Sequence, residues 1–189
     1  MEKIKIIFLD LDGVLNVYCE ERDEFGCTFH SNFVDNLKHI IDETGAKIVI
    51  SSSWRKDGLK FMLDLWKFRN LPGEIIDVTP SLYLQKGGSI KFWNDKLNSK
   101  ITPKIKGYSI PRGAEIDYWL KNESKNFGII EQYVILDDDS DMLFEQRNNF
   151  VKTSENKEHE DCIDIGYGLT IKCAEKAIEI LNRKDEEKS

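Results

Sequence analysis

Three short apolar runs, each stopping at a cluster of polar side chains, organise this chain. Ile4-Lys5-Ile6-Ile7-Phe8-Leu9 runs into Asp10-Leu11-Asp12-Gly13, Lys47-Ile48-Val49-Ile50 into Ser51-Ser52-Ser53, and Tyr133-Val134-Ile135-Leu136 into Asp137-Asp138-Asp139. Runs this short, rich in β-branched residues and closed by turn formers, predict buried strands. Ile75-Ile76-Asp77-Val78 before Pro80 predicts a weaker strand, and Phe150-Val151 a short one.

Between the strands the period changes. Val34, Leu37, Ile40 and Ile41 recur at helical spacing after Ser31, an expected cap, and before Gly45, an expected left-handed terminator. Leu59, Met62, Leu63 and Leu65 predict a helix from about 57 to 68, and Ala114, Ile116, Trp119 and Leu120 one from about 112 to 121. A further helix is expected near 141–149. Thr170 should cap a last one whose inner face carries Ile171, Ala174, Ala177, Ile178 and Leu181. Strands alternating with helices predict an α/β fold, a parallel sheet with helices on both faces, whose ligands bind beyond the carboxyl ends of the strands. The three polar clusters therefore converge on one rim.

Composition narrows the class. With 189 residues, 40% hydrophobic and 32% charged, the chain suits one folded domain over 1–183 with a charged tail at 184–189. No apolar run approaches the roughly 18 residues that span a bilayer, and the N-terminus runs into acids without a cleavage-like segment, so no membrane role and a cytoplasmic location are expected. Cys19, Cys27, Cys162 and Cys173 show neither CxxC spacing nor a dense framework, which predicts reduced thiols. His30, His39 and His159 stand at no ligand spacing from a cysteine pair, which argues against zinc.

The net charge of −7 argues against generic nucleic-acid binding, with one local exception. Residues 81–111 lack a continuous period and read as an insertion over the sheet edge, a small cap. Within it Lys86, Lys91, Lys96, Lys100, Lys104 and Lys106 face only Asp95. That surplus suits either a solvated loop or a surface that attracts an anionic partner such as an RNA or DNA end. Trp54, and Phe92 with Trp93 among those lysines, likewise suit either packing or stacking on a nucleobase.

Phosphoryl transfer needs a nucleophile, counter-charge for the phosphate oxygens and a proton donor for the leaving oxygen. Asp10 and Asp12, two residues apart, can be aimed into one pocket by the turn at Gly13, and Asp137 brings a third carboxylate. Clustered carboxylates repel unless a cation relieves them, and hard magnesium with its preference for oxygen ligands meets that need. Each cluster alone has an ordinary reading. DxDG can be a solvated turn, though not an EF-hand, whose further ligands are missing; serines often cap helices, and acids often sit at helix N-termini. Their joint placement at three strand ends carries the argument.

Phe8-Leu9-Asp10-Leu11-Asp12-Gly13-Val14-Leu15 resembles the first motif of the haloacid dehalogenase (HAD) superfamily, Ile48-Val49-Ile50-Ser51-Ser52 the second, and Asp137-Asp138 the paired acids of the fourth, with Asp141 a further acid. Arg112 fits the basic third motif, with Arg55 as second choice. Together with Ser51 to Arg55, Arg112 to Ile116 and Gly168-Leu169-Thr170, the pattern resembles the HAD domains of Swiss Army Knife RNA repair proteins. The resemblance implies a three-layer Rossmann-like fold and a magnesium-dependent phosphomonoesterase with an aspartyl-phosphate intermediate, acting on a phosphorylated small molecule or a nucleic-acid end. It implies Asp10 as nucleophile, Asp12 as general acid and base, Ser52 (or Ser51) with Arg112 (or Arg55) on the phosphate, and Mg2+ held by Asp10, the Asp12 carbonyl and Asp137 with Asp138. Two other classes are weighed. A receiver-type phosphoacceptor would take phosphate after a middle strand, whereas here DxD follows the first. A catalytically idle module gripping phosphate or nucleic-acid ends would not need both Asp10 and Asp12.

Overall fold

The computed structural model describes residues 2–82, 92–94, 99–101, 110–153 and 168–184, with backbone alone for 92–94 and 99–101. In chain order the elements are β1 (Lys3–Leu9), β2 (Arg22–Asp23), β3 (Gly26–Cys27), α1 (Ser31–Thr44), β4 (Lys47–Ile50), α2 (Gly58–Phe68), β5 (Ile75–Val78), β6 (Phe92–Asn94), β7 (Ser99–Ile101), α3 (Arg112–Asn122), β8 (Ile129–Asp137), β9 (Phe150–Lys152) and α4 (Ile171–Asn182). Five strands form a parallel sheet in the order β5-β4-β1-β8-β9. The α/β architecture expected from the alternation is therefore present, and all five expected strands belong to one sheet.

Side chains alternate across a strand, so β1 feeds two cores. Ile7 and Leu9 point to the face covered by α1, α2 and α4, joining Leu37, Ile40, Met62, Leu65, Ala174 and Leu181. Ile4, Ile6 and Phe8 point to the face covered by α3, joining Ile116 and Trp119. Phe8 meets Trp119 edge-on, with ring centroids 5.5 Å apart. Both faces of β1 are buried, which is why its sequence is a continuous apolar run.

Three local expectations are corrected. Residues 141–149 form no α-helix, only a 3-10 turn over Phe144–Gln146. The Asp141 carboxylate accepts the Arg112 backbone N–H, while the Gln146 amide donates to the Gly113 carbonyl and accepts from the Leu143 N–H, so this segment is pinned to the start of α3. The α1 N-cap is His30, which makes no side-chain cap bond, and Ser31 is already helical. The expected thiols give way at one pair: Cys19 and Cys27 are joined in a disulfide, with Cα atoms 5.2 Å apart. The β2–β3 hairpin turns the chain back and brings together residues eight apart, a pairing that spacing alone does not reveal. Cys173 is free and buried, and Cys162 lies outside the described residues.

The contact at α3 sets up a test. Helix propensity alone favours Gly113→Ala by about 1 kcal/mol. A Cβ at Gly113, however, would stand 2.4 Å from the Leu143 nitrogen and 2.7 Å from the Met142 Cα, both backbone atoms. Crowding of that kind costs about 1–3 kcal/mol. Gly113→Ala is expected to lower the thermal midpoint; a rise in a melting experiment would show that the approach of the 142–143 backbone to α3 is loose.

Candidate active site

Strand register assembles the site. Leu9, Ile50 and Leu136 lie side by side across β4, β1 and β8, so the next residues, Asp10, Ser51 and Asp137, emerge together at the carboxyl edge. The ladder continues one step beyond the strands: the Asp10 N–H donates to the Leu136 carbonyl at 3.0 Å and the Ser51 N–H to the Leu9 carbonyl at 2.8 Å. Three groups distant in sequence are thus fixed by backbone hydrogen bonds, without reliance on flexible loops.

Asp10 and Asp137 are buried, at 7% and 1% exposure, and Asp138 joins them: one carboxylate oxygen from each lies within 4.8 Å of the others. Gly13 makes this close approach possible. Its φ is +73°, and a Cβ would fall 2.1 Å from the Asp138 Cγ. Thr153, fully buried, donates its hydroxyl to the Gly13 carbonyl at 2.8 Å and so steadies the same turn.

The electrostatics are those of an anionic pocket. Burial pushes Asp10 above the ordinary carboxylate value, with Arg112 pulling the other way. Burial pushes Asp137 well above it, and the Asp10 charge adds to the shift. Asp138 and Asp141 are raised too, again chiefly by burial. Arg112 is the counter-charge: its guanidinium stands 3.7 Å from Asp10 Oδ2 and 3.7 Å from Asp137 Oδ2. Those separations are ion-pair distances, too long for hydrogen bonds. Asp137 Oδ2 is accordingly buried without a hydrogen-bond partner, an acceptor aimed into the acid cluster. A hard divalent cation satisfies such a set of oxygen donors, so the residues fit magnesium.

The other expected residues divide. Ser52 is fully buried beside Asp10, whose charged form it favours, and its Oγ accepts the Trp54 backbone N–H at 3.4 Å. Ser51 is buried with its Oγ unpartnered. Asp12 is exposed at the mouth, where it accepts from Asn16 and Trp54. Arg55 is engaged elsewhere: its guanidinium pairs with buried Glu115 and donates to the Ser52 carbonyl at 2.6 Å and the Thr79 carbonyl at 3.0 Å. Asp141 holds the Arg112 backbone, leaving Asp138 as the acid that completes the cluster. Sequence reading missed Glu115, Asn16 and Thr153, each of which acts on another member of the site; Glu115 and Asn16 carry no strand-end signature, whereas Thr153 directly follows β9 and could have been found by it.

A family model for the HAD domain in Swiss Army Knife RNA repair proteins matches residues 6–158. The chain belongs to that family. The matched span holds Asp10, Asp12, Ser52, Arg112 and the Asp137-Asp138 pair, so the acid cluster lies within the HAD domain. Comparison with curated proteins and with solved structures gave no match. Among the described residues of the HAD domain no helix is long and apolar enough to cross a membrane.

Proposed function

We propose that the chain is a magnesium-dependent phosphomonoesterase that works through an aspartyl-phosphate on Asp10. The observation that carries this reading is the buried acid cluster with Arg112 set against two of its members. A cluster kept for structure alone would be neutralised by hydrogen bonds, whereas Asp137 Oδ2 has none. Magnesium bound by Asp10, Asp137 and Asp138 with the Asp12 carbonyl supplies positive charge for the substrate phosphate.

Asp10, at the centre of the rim, attacks phosphorus through a carboxylate oxygen. Ser52 beside it and Arg112 above the pair contribute a hydroxyl and a guanidinium to the phosphate oxygens. Asp12 at the mouth protonates the leaving oxygen, then takes a proton from the water that cleaves the acyl-phosphate. The substrate is a phosphorylated small molecule or a nucleic-acid end. A screen of phosphorylated metabolites and of 3′- and 5′-phosphorylated oligonucleotides, with and without magnesium, tests this. Phosphate release from none of them would remove the reading.

The family's RNA-repair context favours the nucleic-acid end, and the lysines between Lys86 and Lys106 are the proposed docking track. They lie outside the described residues except for the backbone of Lys100 in β7. Neutralising Lys91, Lys96 and Lys100 together is expected to weaken turnover of a phosphorylated oligonucleotide and to reduce the slope of log activity against log salt by about two to three, because fewer counterions are released. Small esters should be spared. Equal loss on both substrates would assign these lysines to the fold or the pocket.

A further inference from the structure

Asp12 is the one carboxylate of the site that is exposed, yet both its oxygens are engaged. Its Oδ2 accepts the indole N–H of Trp54 at 2.9 Å, and its Oδ1 lies 3.4 Å from the side-chain nitrogen of Asn16, at the long end of hydrogen bonding. Trp54 reaches the site a second way, since its backbone N–H donates to the Oγ of Ser52, which lies beside Asp10. One residue thus touches Asp12 directly and Asp10 through a single intermediary.

The indole is itself held from the far side. Phe29 packs on it with ring centroids 5.9 Å apart, and the Arg69 guanidinium lies 5.8 Å from its centre and 4.5 Å from that of Phe29. Arg69 is fixed by a bidentate pair with Asp23 of β2, at 2.8 Å for both bonds. Gly26 of β3 leaves room for the ring: a Cβ there would stand 3.4 Å from the indole Cη2. The hairpin closed by Cys19 and Cys27 therefore forms a back wall for Trp54. An aromatic placed for packing alone does not need its N–H aimed at a carboxylate, and one placed for nucleobase stacking does not need this backing.

We propose that Trp54 is a positioning residue that fixes the orientation of the Asp12 carboxyl group for proton transfer. This inference rests on the phosphohydrolase reading above. The indole N–H occupies a lone pair of Oδ2 and so holds the Asp12 carboxylate in one rotation about its Cβ–Cγ bond. In the first step the Asp12 carboxyl proton passes to the ester oxygen as the ester P–O bond breaks and the bond from Asp10 to phosphorus forms. In the second, the Asp12 carboxylate takes a proton from a water whose oxygen bonds to phosphorus as the bond from the Asp10 oxygen to phosphorus breaks, which releases inorganic phosphate and restores the Asp10 carboxylate and the Asp12 acid. Without Trp54 the Asp12 side chain can rotate, and either oxygen can face away from the leaving group.

Trp54→Phe keeps the ring against Phe29 and removes the N–H. Two measurements on the full chain test its role. In the first, the Trp54 indole resonance, recognised by its loss in Trp54→Phe, is followed in Asp12→Ala. It is expected to move, and an unmoved resonance overturns the hydrogen bond and the proposal with it. The second compares an alkyl phosphate, whose leaving group needs the proton, with 2,4-dinitrophenyl phosphate, whose leaving group does not. Trp54→Phe is expected to slow steady-state turnover of the alkyl ester roughly 10- to 100-fold. With the activated ester the first release of dinitrophenol should stay within about threefold of wild type and appear as a burst, because only the later hydrolysis is slowed. Equal losses in burst and steady state, or no loss at all, in an active wild-type background overturn the proposal alone. A wild type inert on both esters, with the resonance shift intact, overturns the phosphohydrolase reading and the catalytic role of Trp54 together.

Discussion

Asp10→Asn is expected to leave the protein folded and to lower phosphate release by about 10³-fold or more, equivalent to roughly 4 kcal/mol of lost transition-state stabilisation. The amide keeps the carboxylate's shape and can still accept the Leu11 N–H that Asp10 Oδ1 receives at 2.7 Å. What it loses is the attacking anion. The substitution also removes one of the buried acids that repel each other, so the thermal midpoint of the metal-free protein should hold or rise. Near-normal turnover, with contaminating phosphatase excluded by an independent preparation, would rule out Asp10 as the nucleophile. A large fall in the midpoint would mean that the carboxylate is needed for folding instead.

Metal removal is the second large effect. Chelation is expected to abolish activity, magnesium to restore it, and calcium, with its larger and looser shell, to fail. A readout that needs no turnover follows from the raised carboxylates. Because Asp10, Asp137 and Asp138 all sit above 3.8 in the folded chain, the native state retains protons that the unfolded state releases. Stability of the metal-free protein is then highest on the acid side and falls as pH climbs from about the unfolded value through the raised ones. A bound cation opposes that fall. At about a hundred times its Kd, magnesium should add about 2.7 kcal/mol, roughly 5–10 °C in the midpoint for a chain of this size. The gain should be largest near neutral pH and vanish as the acids protonate. Asp137→Asn should lose most of it. A magnesium shift that is equally large at acid pH would place the ion elsewhere.

Most of the frame was legible because it rests on short-range pattern. β4 and β5 begin and end where their apolar runs do, and Gly45 terminates α1 in the left-handed conformation expected of it, at φ 65°. Thr170 caps α4 by accepting the Cys173 N–H. Asp10 and Asp137 could be placed together because strand ends in a parallel sheet share an edge. Failures came where distant contacts overrode local preference. A helix is expected near 141–149, but Asp141 and Gln146 are bound to α3. Arg55 stands close behind the serines as a phosphate-binding arginine would, yet Glu115, sixty positions away, claims its guanidinium. The disulfide depended on a hairpin too short to show an alternating pattern.

Glu115 also has a bearing on how such a domain diversifies. Its Oε1 accepts the Leu82 N–H at 3.0 Å, while its other oxygen grips Arg55, and its own helix begins one residue after Pro111. Leu82 and the first turn of α3 are thus joined through a single buried carboxylate. Chain inserted between two such tethered points lengthens a loop whose closure entropy grows only by about 0.6 kcal/mol per doubling. The sheet and its acids need not register the change. Segments of different length and charge can thus be exchanged between Leu82 and Pro111 by recombination while both ends stay fixed, so that substrate preference is free to change without change to the acids.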